Sequence, residues 1–240
     1  MKISVIIPAF NEERLLGGTL TQVKSAIGVF TRRRWQSELI VCDNNSTDHT
    51  AEIARAAGAT VVFEPINQIA RARNAGAAAA TGDWLIFVDA DSHPSAELFA
   101  DAAEQIESAR CLAGGSTVRM DERFLLAGFF TWTWNRSSRL GRWLAGSFIF
   151  VEAAGFRKIG GFSNELFAAE ELDLSKRLKQ LAKKEGREIV ILHRHPLVTS
   201  ARKMRLYTVW DHLKLVTHVL FNRRALNRRE SCTLWYDGRR

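Results

Sequence analysis

Cysteine is scarce in this chain, and the little there is does not pair. Its 240 residues hold three, Cys42, Cys111 and Cys232. The number is odd, the spacing wide, and no CxxC occurs. That excludes a disulfide framework and a cysteine-ligated zinc site, and it suits free thiols in a reducing compartment. Long apolar runs are also missing: no window reaches the ~18 uninterrupted residues of a spanning helix. The opening run, residues 3–7, stops at Pro8 and meets Asn11-Glu12-Glu13, so it is read as a buried strand and not as a signal peptide. The expected location is cytoplasmic. Internal repeats and low-complexity linkers are absent as well.

What remains is ordinary in bulk and uneven in charge. A hydrophobic fraction of 46% and a charged fraction of 25% suit a soluble globular protein, and the length allows a full core. The net charge of +8 sits in the tail. Residues 202–240 carry ten Lys/Arg against three acids, leaving the body of 1–201 at only +1. The boundary is therefore placed at 201/202, with a body followed by a basic extension whose charge concerns its partner rather than the fold.

Through the first half, short apolar runs alternate with helical patterns, which predicts a mostly parallel sheet flanked by helices. Strands are expected at 3–7, 39–42, 60–63 and 84–88. Asn11 is a candidate cap for the first helix, with Glu12 and Glu13 in its first turn. An Ala-rich helix is expected over 69–81. Later elements are a helix from Pro94 to about Ser108, strands at 111–119 and 146–151, a helix over 168–184 and a strand at 189–192. Residues 122–140 mix helical character with Phe129, Phe130, Trp132 and Trp134.

Three polar clusters each follow an apolar strand and precede a helix: Pro8-Ala9-Phe10-Asn11-Glu12, Asp43-Asn44-Asn45-Ser46-Thr47-Asp48 and Asp89-Ala90-Asp91. Ligands of open α/β sheets collect at such strand ends, and the helix N-termini beside them favour phosphate. Together they suggest a nucleotide pocket. In extended chain, Asp89 and Asp91 project to one side and can address one Mg²⁺ or Mn²⁺ ion bridging to a diphosphate. Two solvated carboxylates at a turn are the plainer alternative.

Taken in order, these segments resemble family 2 glycosyltransferases of the GT-A fold. The resemblance continues through Ala72-Arg73-Asn74-Ala75-Gly76, Gly82-Asp83-Trp84, Gly160-Gly161-Phe162 and Glu170-Glu171-Leu172-Asp173, covering roughly residues 3–180. It implies a Rossmann-like nucleotide-binding half, a nucleotide-sugar donor such as a UDP- or GDP-sugar, and a divalent cation. It places Pro8, Phe10, Asn11, Glu12, Asp43 and Asn45 at base and ribose, Arg73 and Asn74 near the nucleotide, and Asp89-Ala90-Asp91 at ribose and metal. An acidic pair at the start of a late helix, here Glu170 and Glu171, would supply the general base of an inverting displacement. The family usually has Asp where Glu171 stands.

The helix argues for a base independently. Glu171, Leu174, Leu178 and Leu181 recur at helical spacing, so Glu171 ends the apolar stripe and Glu170 joins a polar row with Asp173 and Arg177. A carboxylate at the edge of a buried face has a raised pKa, as a general base needs. Other assignments are open alternatives. His193 or His195 would complete the metal shell or be structural, and Arg202 and Lys203 would close on the diphosphate or lie in a solvated turn. Gly160, Gly161 and Phe162, with Trp132 and Trp134, are candidates for the acceptor side, against a plain turn and core aromatics.

In the tail, Leu206, Val209, Trp210, Leu213, Val216 and Leu220 form a helical stripe edged by Arg205, Lys214, Arg223 and Arg224. It reads either as a helix docked on the body or as one drawn to an anionic membrane, where the aromatic cluster would extend that surface or hold a lipid-linked acceptor. No nucleic-acid-binding fold accompanies the basic residues. The predicted function is metal-assisted, inverting glycosyl transfer. The alternatives are a catalytically silent nucleotide-sugar-binding scaffold and a nucleotidyltransferase, the latter disfavoured by the lack of a glycine-rich basic loop before the first helix.

Overall fold

The computed structural model describes residues 1–122, 125–202, 226–227 and 229–232. The stripe expected in the tail lies outside them, as does Lys203. The chain begins with β1 (Lys2–Ala9), α1 (Leu16–Arg32), β2 (Gln36–Asp43), α2 (Thr50–Ala56), β3 (Thr60–Phe63), α3 (Ile69–Ala79) and β4 (Trp84–Val88). It continues with β5 (Ser92–His93), α4 (Ala96–Glu107), β6 (Cys111–Met120), α5 (Leu125–Gly141), β7 (Phe148–Glu152) and α6 (Ala153–Lys158). After α7 (Glu170–Glu185) and β8 (Glu188–Thr199) comes a short 3₁₀ turn at Arg229–Ser231. Among the described residues, no helix is long and apolar enough to cross a membrane.

The strands form one sheet in the order β3-β2-β1-β4-β7-β6-β8-β5. The first four run parallel, β7 is antiparallel to both β4 and β6, and β8 returns parallel to β6. Chain order reverses between β1 and β4, the place where an open sheet leaves a crevice at its carboxyl edge. Because β4 is covered on both faces, its Trp-Leu-Ile-Phe-Val run is buried throughout. Trp84, Ile86 and Val88 pack on one face with the α1 and α4 side chains Phe30 and Phe99. Leu85 and Phe87 pack on the other with Phe156, Phe162, Leu174 and Leu178. Each such large side chain, buried fully, contributes about 1.5–3 kcal/mol.

The structure departs from expectation in two places. Helix α1 begins at Leu16, and Asn11 does not cap it. Asn11 sits in the left-handed region at φ 51°, where it bonds across to the β2 loop and leaves the helix to start a turn later. Strand β8 extends to Thr199 instead of ending near 192, but its register against β6 jumps from Ser116↔Leu192 to Val118↔Leu197. The His193-Arg194-His195-Pro196 stretch is the bulge that interrupts the apolar pattern. Of the two readings open for the α5 aromatics, exposure holds for Phe129, Phe130 and Trp132, all more than half exposed.

At the amino edge of the sheet, away from the crevice, a polar cluster ties three strands together. Glu38 accepts from Ser4 Oγ at 2.6 Å and the Thr81 amide at 2.7 Å, and pairs with Lys2 Nζ at 2.7 Å. Burial opposes its charge, yet the hydrogen bonds from Lys2, Ser4 and Thr81 together outweigh it and hold the carboxyl down at about 2. A depressed carboxyl stabilises the fold above its unfolded pKa, and that contribution is lost as pH falls through the folded value. Glu38→Gln is therefore expected to cost about 2 kcal/mol at pH 7. In urea titrations the gap from wild type should close as pH falls from the ordinary carboxylate range toward 2, and a gap independent of pH would refute the assignment.

Candidate functional site

The crevice edge is built by loops that hold one another. The Asn11 amide donates to Ser46 Oγ at 3.0 Å, and its side-chain oxygen accepts from the Thr47 amide at 2.8 Å. The Glu12 amide donates to Thr50 Oγ1 at 2.8 Å and the Glu13 amide to Asp48 Oδ2 at 3.1 Å. The loop after β1 is thus stapled to the loop after β2. Asp43 is buried at the end of β2 and accepts from the Ser46 amide. Asn45, at φ 65°, stands exposed, and Phe10 is half-buried beside it in the chain order of the edge.

Two residues not singled out from the sequence organise this edge. Buried Asn44 donates to the carbonyls of Glu64 and Ile66 and accepts from the Gln68 amide. Gln68 in turn donates to the carbonyls of Asn164 and Leu166. The loops after β2 and β3, the start of α3 and the segment before α7 are therefore one network. The only sequence signal was an asparagine directly after a buried strand, which resembles any turn.

Arg73 is the centre of the site. Its side chain is 2% exposed. One terminal nitrogen donates to Glu170 Oε1 at 2.5 Å, and the other donates to Asp89 Oδ1 at 2.9 Å and to the Gly146 carbonyl at 3.0 Å. Its guanidinium lies 5.2 Å from the centre of the Phe162 ring. Burial works against its charge, but Asp89, Glu170 and Glu171 together hold it protonated. A Cβ at Gly146 would stand 3.1 Å from the guanidinium and 3.7 Å from the Glu171 carboxyl carbon. The glycine leaves room for both groups.

The acidic pair is ordered differently from the helical pattern. Glu170 is 4% exposed and Glu171 half-buried. Periodicity assigned Glu170 to a polar row, and lower on α7 that row exists as the Asp173–Arg177 ion pair at 2.7 Å. In the first turn, pairing with Arg73 overrides it and draws Glu170 inward. Glu171 is pushed well above the usual carboxylate range, first by burial and then by the Glu170 charge, with Arg73 opposing.

Asp89 and Asp91 leave β4 with their backbone fixed on three sides. Asp89 O accepts from the Ser92 amide, Ala90 O from Thr19 Oγ1 at 2.7 Å, and Asp91 O from the Ser200 amide. Arg202 reaches in from the end of β8. It forks onto Glu12 at 2.7 and 2.9 Å and lies 3.7 Å from Asp91 Oδ2, so it belongs to the crevice and not to a solvated turn.

The histidines stand on the β8 bulge. His195 Nδ1 pairs with Asp101 Oδ2 at 3.0 Å, and exposed His193 lines a cavity there. Among the described residues, no three His, Cys, Asp or Glu side chains form a metal-holding group.

Asn74 also takes another task. Its amide donates to Phe162 O and Asn164 Oδ1 and accepts from the Phe162 amide, which spends it on the Gly160-Gly161-Phe162 turn. Gly161, at φ 68°, could not carry a Cβ, which would meet Asn74 Oδ1 at 2.6 Å. The turn sets Phe162 beneath Arg73 and is thus part of the support of the site. Pro8 is buried in β1, Trp134 is half-buried on α5, and Trp132 faces the same cavity as His193. The thiol of Cys42 is pushed up to about 12, chiefly by burial, as an inert core group.

Comparison with known proteins bears on this geometry. The model of glycosyl transferase family 2 matches residues 4–157. Glucosyl-3-phosphoglycerate synthase of Mycolicibacterium smegmatis is 37% identical over 97 residues, covering 37% of this chain and 30% of that one. The chain spans about a quarter to a third of the length of the curated relatives it first matches. Among solved structures, S. aureus TarS in complex with UDP-GlcNAc superposes with a TM-score of 0.65 at 21% identity, covering 99% of this chain and 71% of that one. The mannosyltransferase PcManGT from Pyrobaculum calidifontis, in complex with GDP-Man and Mn²⁺, gives 0.67 at 20%, covering 89% and 60%. These structural likenesses establish the GT-A fold.

Removing the guanidinium would strand the buried Glu170 carboxylate and leave the half-buried Asp89 without its partner. Arg73→Met is expected to cost about 3–5 kcal/mol in urea unfolding, as breaking one side of a buried pair does. Adding Glu170→Gln in that background should recover part of the loss. A single variant as stable as wild type would remove Arg73 from its central place.

Proposed function

Because this chain belongs to glycosyl transferase family 2, we propose that it transfers a sugar from a nucleoside-diphosphate sugar to an acceptor hydroxyl by a single inverting displacement. The observation that carries the proposal is the Arg73 bridge, which links Asp89 to the Glu170-Glu171 pair through one buried group. Donor end and base end are then held at one separation, as a displacement with aligned reactants requires. That TarS binds UDP-GlcNAc and PcManGT binds GDP-Man supports a nucleotide-sugar donor here.

On this reading, Phe10, Asn11, Asp43 and Asn45 receive base and ribose at the stapled edge. Asp91 and the second oxygen of Asp89 suit a hard divalent cation, which typically takes one or two carboxylates and fills its shell with water and phosphate. The Mn²⁺ of PcManGT supports such an ion here. When bound, it would neutralise charge on the departing diphosphate. Arg202, now shared between Glu12 and Asp91, is placed to turn toward the same charge. Glu171 accepts the proton of the attacking hydroxyl, and Glu170 pairs with Arg73 to orient α7. Residues 202–240 are the proposed contact with an anionic membrane face. Part of that tail packs on the body, since the Phe167 amide binds the Leu226 carbonyl and Cys232 is buried.

Glu171→Gln should lower kcat by about 10²–10⁴ while donor affinity holds, the range for loss of a general base. Asp91→Asn should abolish metal-dependent donor binding in calorimetry. Since a base works deprotonated, wild-type kcat/KM should rise with pH through an inflection near 8, where Glu171 loses its proton. Full turnover by Glu171→Gln would refute the role. Donor binding without transfer or hydrolysis in the wild type would instead favour a silent scaffold, and pyrophosphate release from a nucleoside triphosphate a nucleotidyltransferase.

A further inference from the structure

We propose that the cavity between α5 and strands β6 and β8 is an anion site that receives a phosphate carried by the acceptor, an inference that rests on the transfer reaction above. The cavity measures about 490 Å³ and is lined by Thr117, Trp132, Asn135, Arg136, Arg139 and His193 among others. It opens at the carboxyl edge of the sheet. Strand β7 lies between β6 and β4, and its leading residue Phe148 pairs with Val88, directly before Asp89. The cavity is thus one strand beyond the donor crevice, on the side away from β1 and the nucleotide loops.

Its chemistry is that of a phosphate receptor. Thr117 is 4% exposed, yet its hydroxyl has no hydrogen-bond partner. A buried hydroxyl left unpaired is costly, and a ligand that completes it is the common reason for its persistence. Arg136 and Arg139 are one turn apart on α5 and share a face. Neither has an ion-pair partner among the described residues, and no carboxylate lines the cavity.

Two guanidinium groups, an imidazole and a hydroxyl therefore line one cavity with no anionic partner among the described residues. Phosphate is the group that guanidinium forks recognise with the most geometric specificity. The wall is held in place by Asn135, whose side chain bonds both the amide and the carbonyl of Val118 at 2.9 and 2.8 Å. Trp132, 61% exposed, offers a flat face for the sugar or apolar group beside the phosphate. The phosphate could belong to a soluble metabolite or to a lipid headgroup. Phe129 and Phe130, exposed on the same helix, make the second source worth separating from the first.

The test is titration calorimetry of the full chain with inorganic phosphate, alongside flotation with phosphatidylglycerol vesicles. Wild type should bind phosphate, and Arg136→Gln/Arg139→Gln should weaken it by at least about tenfold. Thr117→Val should weaken phosphate about threefold and raise Tm, because it removes the unpaired hydroxyl. Metal-dependent donor affinity should be unchanged in both variants. Flotation that phosphate reverses assigns the phosphate to a lipid, and phosphate binding without flotation assigns it to a soluble acceptor. No phosphate binding by wild type, equal binding by the double variant, or loss of donor affinity with it would each overturn the proposal. A wild type that binds phosphate here but never binds or turns over a nucleotide-sugar would defeat the transfer reading alone.

Discussion

A guanidinium out of reach of water must be paired on nearly every side, and the architecture around Arg73 follows from that demand. Its partners come from four places in the chain: Asp89 after β4, Gly146 before β7, Glu170 at the head of α7 and the ring of Phe162. Any of these elements could move alone if its own packing allowed. With Arg73 inside, displacing one leaves a buried charge short of a partner, at several kcal/mol. Lysine would not substitute, because a single ammonium cannot fork between two carboxylates and a carbonyl. The donor loop and the acidic pair are therefore coupled by electrostatics rather than by adjacency.

Around that charge, neutral staples do the same work at lower stakes. Asn44, Gln68 and Asn74 each spend their amides on backbone groups of a distant loop, and Asn11 does so across the first two strand ends. A loop with satisfied backbone groups and few apolar contacts can still be rigid, since every bond it loses must be replaced by water. The crevice edge is rigid in this sense while staying polar and open to a charged ligand. The Glu38 cluster closes the opposite edge of the sheet with strong pairing and no chemistry, so the two ends divide stability from function.

These differences decide what was readable in the sequence. The β4 strand matched its apolar run because burial on both faces leaves a continuous signal. The polar strand ends were legible for the same reason: each acid stands where such a run stops. Strand β8 was cut short because His193-Arg194-His195 breaks the pattern at a bulge, which only the neighbouring strand reveals. Asn44 and Gln68 were invisible, since a buried amide and a turn amide look alike without the third dimension. Arg73 was noticed through the family resemblance, and nothing in its helix foretold full burial. The α5 aromatics were ambiguous, because composition cannot tell a core stripe from an exposed one.

The acidic pair shows how a periodicity argument can name the right residue for an incomplete reason. Glu171 was favoured as the desolvated member of the pair, but Glu170 is the more buried. What separates them is that Glu170 is spent on Arg73, while Glu171 is raised by burial and by the neighbouring Glu170 charge, with Arg73 opposing. Burial and Glu170 win. A carboxylate raised in this way beside one spent in an ion pair suits the division proposed above, one structural group and one proton acceptor. With Glu in place of the family's Asp, the accepting oxygens extend further by about 1.5 Å, one carbon–carbon bond. Since Arg73 fixes the head of α7 relative to Asp89, that length is not absorbed by moving the helix. In the proposed displacement it is absorbed on the acceptor side, with the attacking hydroxyl correspondingly further from α7.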